Sequence, residues 1–205
     1  TVLATTDIHG HVFDWDYFAD AAFPPSDKGR SSAPLGVSRV ATIAKQVRAE
    51  QGADSVVMLD NGDTIQGTPL TYLSAKQPEK LGHDEVMARA FNLVGYDAAN
   101  IGNHEFNYGI AELFRYHNDL KAPLLCANVI DVKTGKPLTQ GSLMLTKNVA
   151  GHEVKVGIVA VTTPGSMVWD KANLVGKVDI ADPVKTAARY SVRLRKDGAD
   201  VVVVL

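Results

Sequence analysis

The sequence predicts an α/β layered fold with a mixed sheet, and three observations carry that prediction. Its composition, 45% hydrophobic against 21% charged residues over 205 positions, is that of an ordinary globular chain with one sizeable core. Short apolar runs with strand character alternate with stretches of helical periodicity. Two neighbouring strands around Gly151-His152 are joined by a short turn, which requires an antiparallel pair among the others.

Taken in order, the first strand is expected over Val2 to Thr6. A helix starts near Gly36, with Val40, Ile43, Ala44 and Val47 on one face. Strands follow at Ser55 to Asp60, Asp97 to Ile101 and Pro123 to Ile130, with helices at His83 to Val94 and Ile110 to Leu120 between them. The antiparallel pair is Leu143 to Val149 and Val154 to Val161, followed by a long loop. The last helix is the best marked. Asp182-Pro183 supplies a capping acid and a proline at the first helical position, and Arg193, Arg195 and Lys196 precede Gly198 at its end. Asp200 to Leu205 reads as a buried strand. Phe23 to Pro34 is a polar insertion with three prolines, and no linker or repeat divides the chain into two domains.

A formal net charge of -2 with mixed signs offers no electrostatic footprint for a nucleic-acid duplex. A small anionic substrate would therefore need local help, such as a metal. The single cysteine, Cys126, excludes an internal disulfide and a cysteine zinc site, and is expected to pack as a small hydrophobe. No stretch reaches the roughly 18 uninterrupted apolar residues of a membrane span, and no protein partner is legible. The start at Thr1 and the stop within a valine-rich strand suggest a piece of a longer domain, incomplete at its C-terminal end. Neither Gly-x-Gly-x-x-Gly after the first strand nor Gly-x-x-x-x-Gly-Lys-Ser/Thr occurs, so glycine-loop phosphate cradles are excluded.

Each of the first three strands ends in a polar cluster that a mere loop would not need: Asp7-Ile8-His9-Gly10-His11, Asp60-Asn61-Gly62-Asp63 and Gly102-Asn103-His104-Glu105. The carboxyl ends of neighbouring strands in an α/β sheet meet at one crevice. Carboxylate, imidazole and amide oxygen together suit divalent first-row metals, with little preference among manganese, iron, cobalt and zinc. Taken singly, such residues are more often turn and capping groups than ligands; three clusters in order change that balance.

In this order and spacing the clusters resemble those of the calcineurin-like metallophosphoesterases. Thr5 to His11, Asp60 to Gly67, Gly102 to Gly109 and Met167 to Leu174 look like the corresponding stretches of bacterial 2',3'-cyclic-nucleotide 2'-phosphodiesterase/3'-nucleotidases, relatives of the secreted 5'-nucleotidases. The resemblance runs from Thr1 to Leu205. It implies two sheets sandwiched between helices, two divalent metal ions, a small nucleotide substrate, and export to the periplasm or cell surface.

Residue by residue, the resemblance implies that Asp7 and His9 bind the first metal, Asp63 bridges both and Asn103 binds the second. His104 would be the general acid, protonating the departing ribose oxygen as an activated water attacks phosphorus. Asn103, His104 and, as a weaker candidate, His11 would contact substrate. A 2',3'-cyclic nucleotide would give a 3'-nucleotide and then nucleoside plus phosphate. The 5'-nucleotidase branch usually has an aspartate three positions after that histidine; this chain has Asn107, a neutral amide that can orient the ring but stabilises its charged form less. That departure favours the cyclic-phosphodiesterase branch.

The family's later histidine and Gly-His-x-His would fall beyond Leu205, as would the nucleoside-binding domain. Residues 1–205 are therefore expected to be the N-terminal part of one metallophosphoesterase domain, nearly inactive alone. A 5'-nucleotidase and a non-catalytic metal- or partner-binding module are the alternatives. His83, His117 and His152 read as solvated surface, Asp14 and Asp16 as solvated or capping acids, and the Trp169 loop equally as a family marker or as a plug at the core edge.

Overall fold

In the computed structural model, which describes residues 1–22 and 35–205, alternating strands and helices follow the predicted order. The chain runs β1 (Val2–Thr5), the short pair β2 (Trp15–Asp16) and β3 (Ala21–Ala22), α1 (Val37–Gln51), β4 (Val57–Asp60), α2 (Pro69–Lys76), α3 (Val86–Val94) and β5 (Ala98–Asn100). It continues through α4 (Ile110–Asp119), β6 (Leu124–Leu125), β7 (Val129–Asp131), β8 (Ser142–Val149), β9 (His152–Val159), α5 (Ser166–Trp169), α6 (Lys171–Leu174), β10 (Val178–Ile180), α7 (Pro183–Lys196) and β11 (Val201–Val204). The polar Phe23 to Pro34 insertion lies outside the described residues.

The first sheet is parallel, in the order β1-β4-β5-β6. The second has the order β11-β9-β8: β9 and β11 pair in parallel, while β8 and β9 form the expected antiparallel hairpin. Strand alternation explains how the sheets stack. Val57, Leu59, Ala98 and Leu125 point from the first sheet onto Val156 and Ile158 of the second. Met58, Ala99 and Leu124 point the other way, onto Met87, Phe91, Leu113 and Tyr116 of α3 and α4. Leu194 and Tyr190 bring α7 down on the outer face of the second sheet. Helices, sheet, sheet and helix are thus stacked in layers, and each fully buried aliphatic side chain contributes about 1.5–3 kcal/mol.

Several elements differ from the sequence expectation. Pro123 to Ile130 is not one strand. Leu124–Leu125 belongs to the first sheet, and Val129–Asp131 pairs with β10 in an antiparallel ribbon that was not foreseen. The switch is made by the buried Asn128 side chain, which accepts from the Thr162 amide at 2.8 Å and donates to the carbonyls of Thr162 and Ala181 at 2.8 and 2.9 Å. Helix α2 was also missed. Only eight residues long and mixed in polarity, it is announced by capping: the Thr68 hydroxyl accepts from the Thr71 amide at 3.3 Å, and Pro69 follows. The third expected helix starts later, at Val86, because the Glu85 carboxylate caps it by accepting from the Ala88 amide at 2.7 Å. The long loop after β9 contains two short helices, α5 and α6, rather than irregular chain throughout.

Candidate metal centre

β1, β4 and β5 are adjacent and parallel, so the loops at their carboxyl ends are neighbours. Past the sheet, the first two loops keep running side by side. The amides of Asp7, His9 and Gly10 donate to the carbonyls of Gly62, Asp63 and Thr64 at 3.0, 2.9 and 2.9 Å. Asp7, His9 and Asp63 have φ values of 55°, 49° and 60°, a left-handed conformation that non-glycine residues adopt rarely and that collects at functional sites. Gly62, with φ 93°, and Gly102 meet where the second and third loops touch. A Cβ on Gly62 would collide with the Gly102 backbone, and one on Gly102 with the Asp63 carboxylate.

The sequence clusters come together at these loops. Asp7, Asp63 and Asn103 line a cleft of about 410 Å³ that also touches Thr163 and Leu205. Potential ligand atoms of His9, Asp63 and His104 lie within 4.8 Å of one another, and the two imidazoles meet edge to face at 4.9 Å. Asp63 belongs to both groupings. Its Oδ1 accepts from the His104 amide at 2.8 Å, which ties the second loop to the third.

Glu105, the last residue of the third cluster, has a role that the sequence does not show. Completely buried, its carboxylate accepts from the amides of Gly102, Asp63, Thr64 and Ile65 at 2.7, 2.8, 2.5 and 3.2 Å. Burial pushes its carboxyl above the usual range, while the amides of Thr64 and Asp63 pull the other way. Asp60 is likewise buried and is pushed up to about 7, chiefly by desolvation and against hydrogen bonds from the Thr5 and Thr64 hydroxyls at 2.6 and 2.8 Å. These two acids hold the loops rather than facing the cleft.

Donor chemistry fits a divalent cation. His9 Nδ1 lies 2.9 Å from the Gln66 carbonyl, so it must carry the proton and leave Nε2 with a free lone pair. That Nε2 lies 3.7 Å from Asp7 Oδ1, close enough for both to reach one ion. His104 Nδ1 lies 2.7 Å from Asn107 Oδ1, and Asn107 Nδ2 donates to both oxygens of Asp170 at 3.0 Å. Asp170 sits in the Met167 to Leu174 stretch, yet sequence reasoning assigned it nothing because the contact spans more than sixty positions.

Other candidates land elsewhere. His11 lies with its ring 6.5 Å from that of Tyr17 and below the ordinary histidine pKa, owing first to burial and then to His9. Asp14 pairs with Arg39 at 3.0 Å, and Asp16 caps the turn at Phe18 and Ala19. His83 and His152 are exposed, but His117 is half-buried, with its pKa lowered by desolvation; its surface reading is corrected, because Phe114 packs 6.1 Å away on the same helix. Cys126 is buried and pushed up to about 12, as a core thiol should be. Met167 packs on the core edge, whereas Val168 and Trp169 stay exposed.

No family model matches the chain. It is 40% identical over its whole length to a 2',3'-cyclic-nucleotide 2'-phosphodiesterase/3'-nucleotidase of Yersinia enterocolitica and 38% identical to one of Haemophilus influenzae, spanning 30% of each. The crystal structure of the calcineurin-like phosphoesterase YfkN from Bacillus subtilis superimposes on 99% of the chain, and on 60% of its own, with a TM-score of 0.84 at 32% identity. The chain belongs to the calcineurin-like phosphoesterases. This fold family implies divalent metals, and the chain's own donors at the loop crossing suit them. The two-sheet sandwich expected for the calcineurin-like chain is the architecture observed.

Proposed function

We propose that this chain is the N-terminal part of a metallophosphoesterase domain that hydrolyses 2',3'-cyclic nucleotides to 3'-nucleotides and these to nucleosides. The observation that carries the reading is the convergence of Asp7, His9, Asp63, Asn103 and His104 at the carboxyl ends of adjacent strands. Relatives named for that activity, 37–40% identical throughout, support the substrate class. Others named 5'-nucleotidase are 27–29% identical.

Asp7, His9 and Asp63 would hold one divalent ion, and Asn103 with the shared Asp63 would hold part of the shell of a second. Such ions would acidify a water and neutralise charge on the phosphate oxygens. His104 would keep a proton ready for the leaving ribose oxygen, with its ring aimed by Asn107. The strained backbone at Asp7, His9 and Asp63 sets the donors before substrate arrives, so little reorganisation is left for the reaction. Export to the periplasm or cell surface is part of this proposal, and fractionation of cells making the full-length protein tests it. Among the described residues no helix is long and apolar enough to cross a membrane.

The deciding experiment compares turnover of 2',3'-cyclic AMP, 3'-AMP and 5'-AMP by the full-length protein. Faster cleavage of the first two is expected. Preference for 5'-AMP would replace this reading with that of a 5'-nucleotidase, and turnover of none would leave a metal-binding module.

A further inference from the structure

The corner between α5 and α6 sets a carboxylate behind the amide that holds His104. Asp170 is 9% exposed, and both its oxygens accept from Asn107 Nδ2 at 3.0 Å. Among the described residues no Lys, Arg or His reaches ion-pair distance of it. Although Asp170 stands at the N-cap of α6, its side chain makes no capping hydrogen bond there. The same corner also holds the backbone, since Asn173 Nδ2 donates to the carbonyls of Phe106 and Asn107 at 2.9 and 3.3 Å.

We propose that Asp170 is a positioning residue for His104, acting through Asn107: it locks the amide so that Oδ1 faces the imidazole, and thereby fixes the ring tautomer with its proton on Nδ1. The reason is donor and acceptor arithmetic. A carboxylate only accepts, so the amide must turn Nδ2 toward Asp170; turned over, it would press Oδ1 against two carboxylate oxygens. With Nδ2 committed, Asn107 offers His104 an acceptor, and the ring nitrogen 2.7 Å away must be a donor. Nε2 is then the nitrogen left for the site. An asparagine without Asp170 could flip and satisfy either tautomer equally. Asn107 thus does more than an isolated neutral amide, because a buried anion orients it.

The functional value of this lock rests on the proposed role of His104 as proton donor; the tautomer does not. The first test is long-range nitrogen NMR of the histidine rings in the metal-free full-length protein, above the pH range in which imidazole titrates. His104 is expected to show a protonated Nδ1 and a bare Nε2, and Asp170→Asn is expected to give a mixture or the opposite tautomer at an unchanged thermal midpoint. Asn173→Ala, which loosens the corner but keeps the carboxylate, is expected to retain the tautomer.

The second test is a mutant cycle in the full-length protein. Asp170→Asn should lower kcat by about 10–100-fold, with KM little changed, as for other residues that orient a site through an intermediary. In an Asn107→Asp background two carboxylates face each other, and there Asp170→Asn should raise kcat. A merely structural residue would act with one sign in both backgrounds. One sign in both, an unaltered tautomer in folded Asp170→Asn, or equal disturbance by Asn173→Ala would overturn the proposal. If the tautomer depends on Asp170 but His104→Asn leaves turnover unchanged, the proton-donor reading fails and the lock stands.

Discussion

Asp63, on the second loop, ties it to the other two: its amide is held by Glu105, its carbonyl accepts from the His9 amide, and its Oδ1 accepts from the His104 amide. Asp63→Asn preserves the shape but removes a carboxylate charge beside His9 and His104, so on the proposed assignment divalent binding should weaken, as isothermal titration with manganese or zinc would read. His104→Asn should keep metal and slow turnover by about 10²–10⁴-fold. Gly102→Ala tests the packing directly, because its Cβ would displace the Asp63 carboxylate. It should lower both metal affinity and stability, because the Cβ would also press on the Asp63 backbone nitrogen; a variant that binds metal and unfolds like the parent would contradict the close approach. Glu105→Gln presents an amide donor to backbone donors, and each buried amide left without an acceptor costs about 1–3 kcal/mol. Urea unfolding should show that loss with or without metal.

Among the elements, α3 carries a titratable cap. Glu85 is buried at its first turn and accepts from the Ala88 amide, but desolvation outweighs that bond and pushes the carboxyl up to about 7. The folded form therefore holds a proton that the unfolded chain has released above the ordinary value of 4.5. Its contribution to stability is full below that value and is lost as pH rises towards about 7, changing little above. Glu85→Gln should flatten this part of the stability profile, measured by denaturant unfolding between pH 4 and 8. Asp60, also pushed up to about 7, adds a decline of the same sign that Glu85→Gln leaves in place.

For the whole molecule, the relevant fact is that the chain spans about 30% of the length of the curated relatives it matches. On the proposed assignment Asp7, His9 and Asp63 would supply three donors to one ion, whereas Asn103 would bring only an amide oxygen, a weaker donor than imidazole, to the other. Residues 1–205 alone are predicted to bind one divalent ion firmly and a second weakly, with little cyclic-nucleotide hydrolysis. Metal stoichiometry by elemental analysis, on this chain and on one extended to the relatives' full length, checks the assignment. Two firmly bound ions and full activity in the short chain would show that the donors had been assigned wrongly.

Local chemistry made much of this protein readable in one dimension. The alternation of apolar runs with helical periodicity, the Asp182-Pro183 start of α7 and the turn at Gly151 depend on neighbours in sequence, and all three reappear in the fold. The polar clusters were visible for the same reason: a carboxylate, imidazole or amide after one apolar strand can serve a turn or cap, but three such clusters after three successive strands point to a shared site. What the sequence could not express was partnership across distance. Asn128 splits one apolar run between two sheets by binding Thr162 and Ala181, and the short α2 rests on a cap rather than on a periodic face. Glu105 has no legible role until four amides surround it, and Asp170 none until Asn107 folds against it. Sequence determined which groups were available, because side-chain chemistry is fixed by residue type; tertiary structure decided which of them face the cleft, which face backbone and which face each other, because burial and hydrogen-bond direction exist only once distant loops have met.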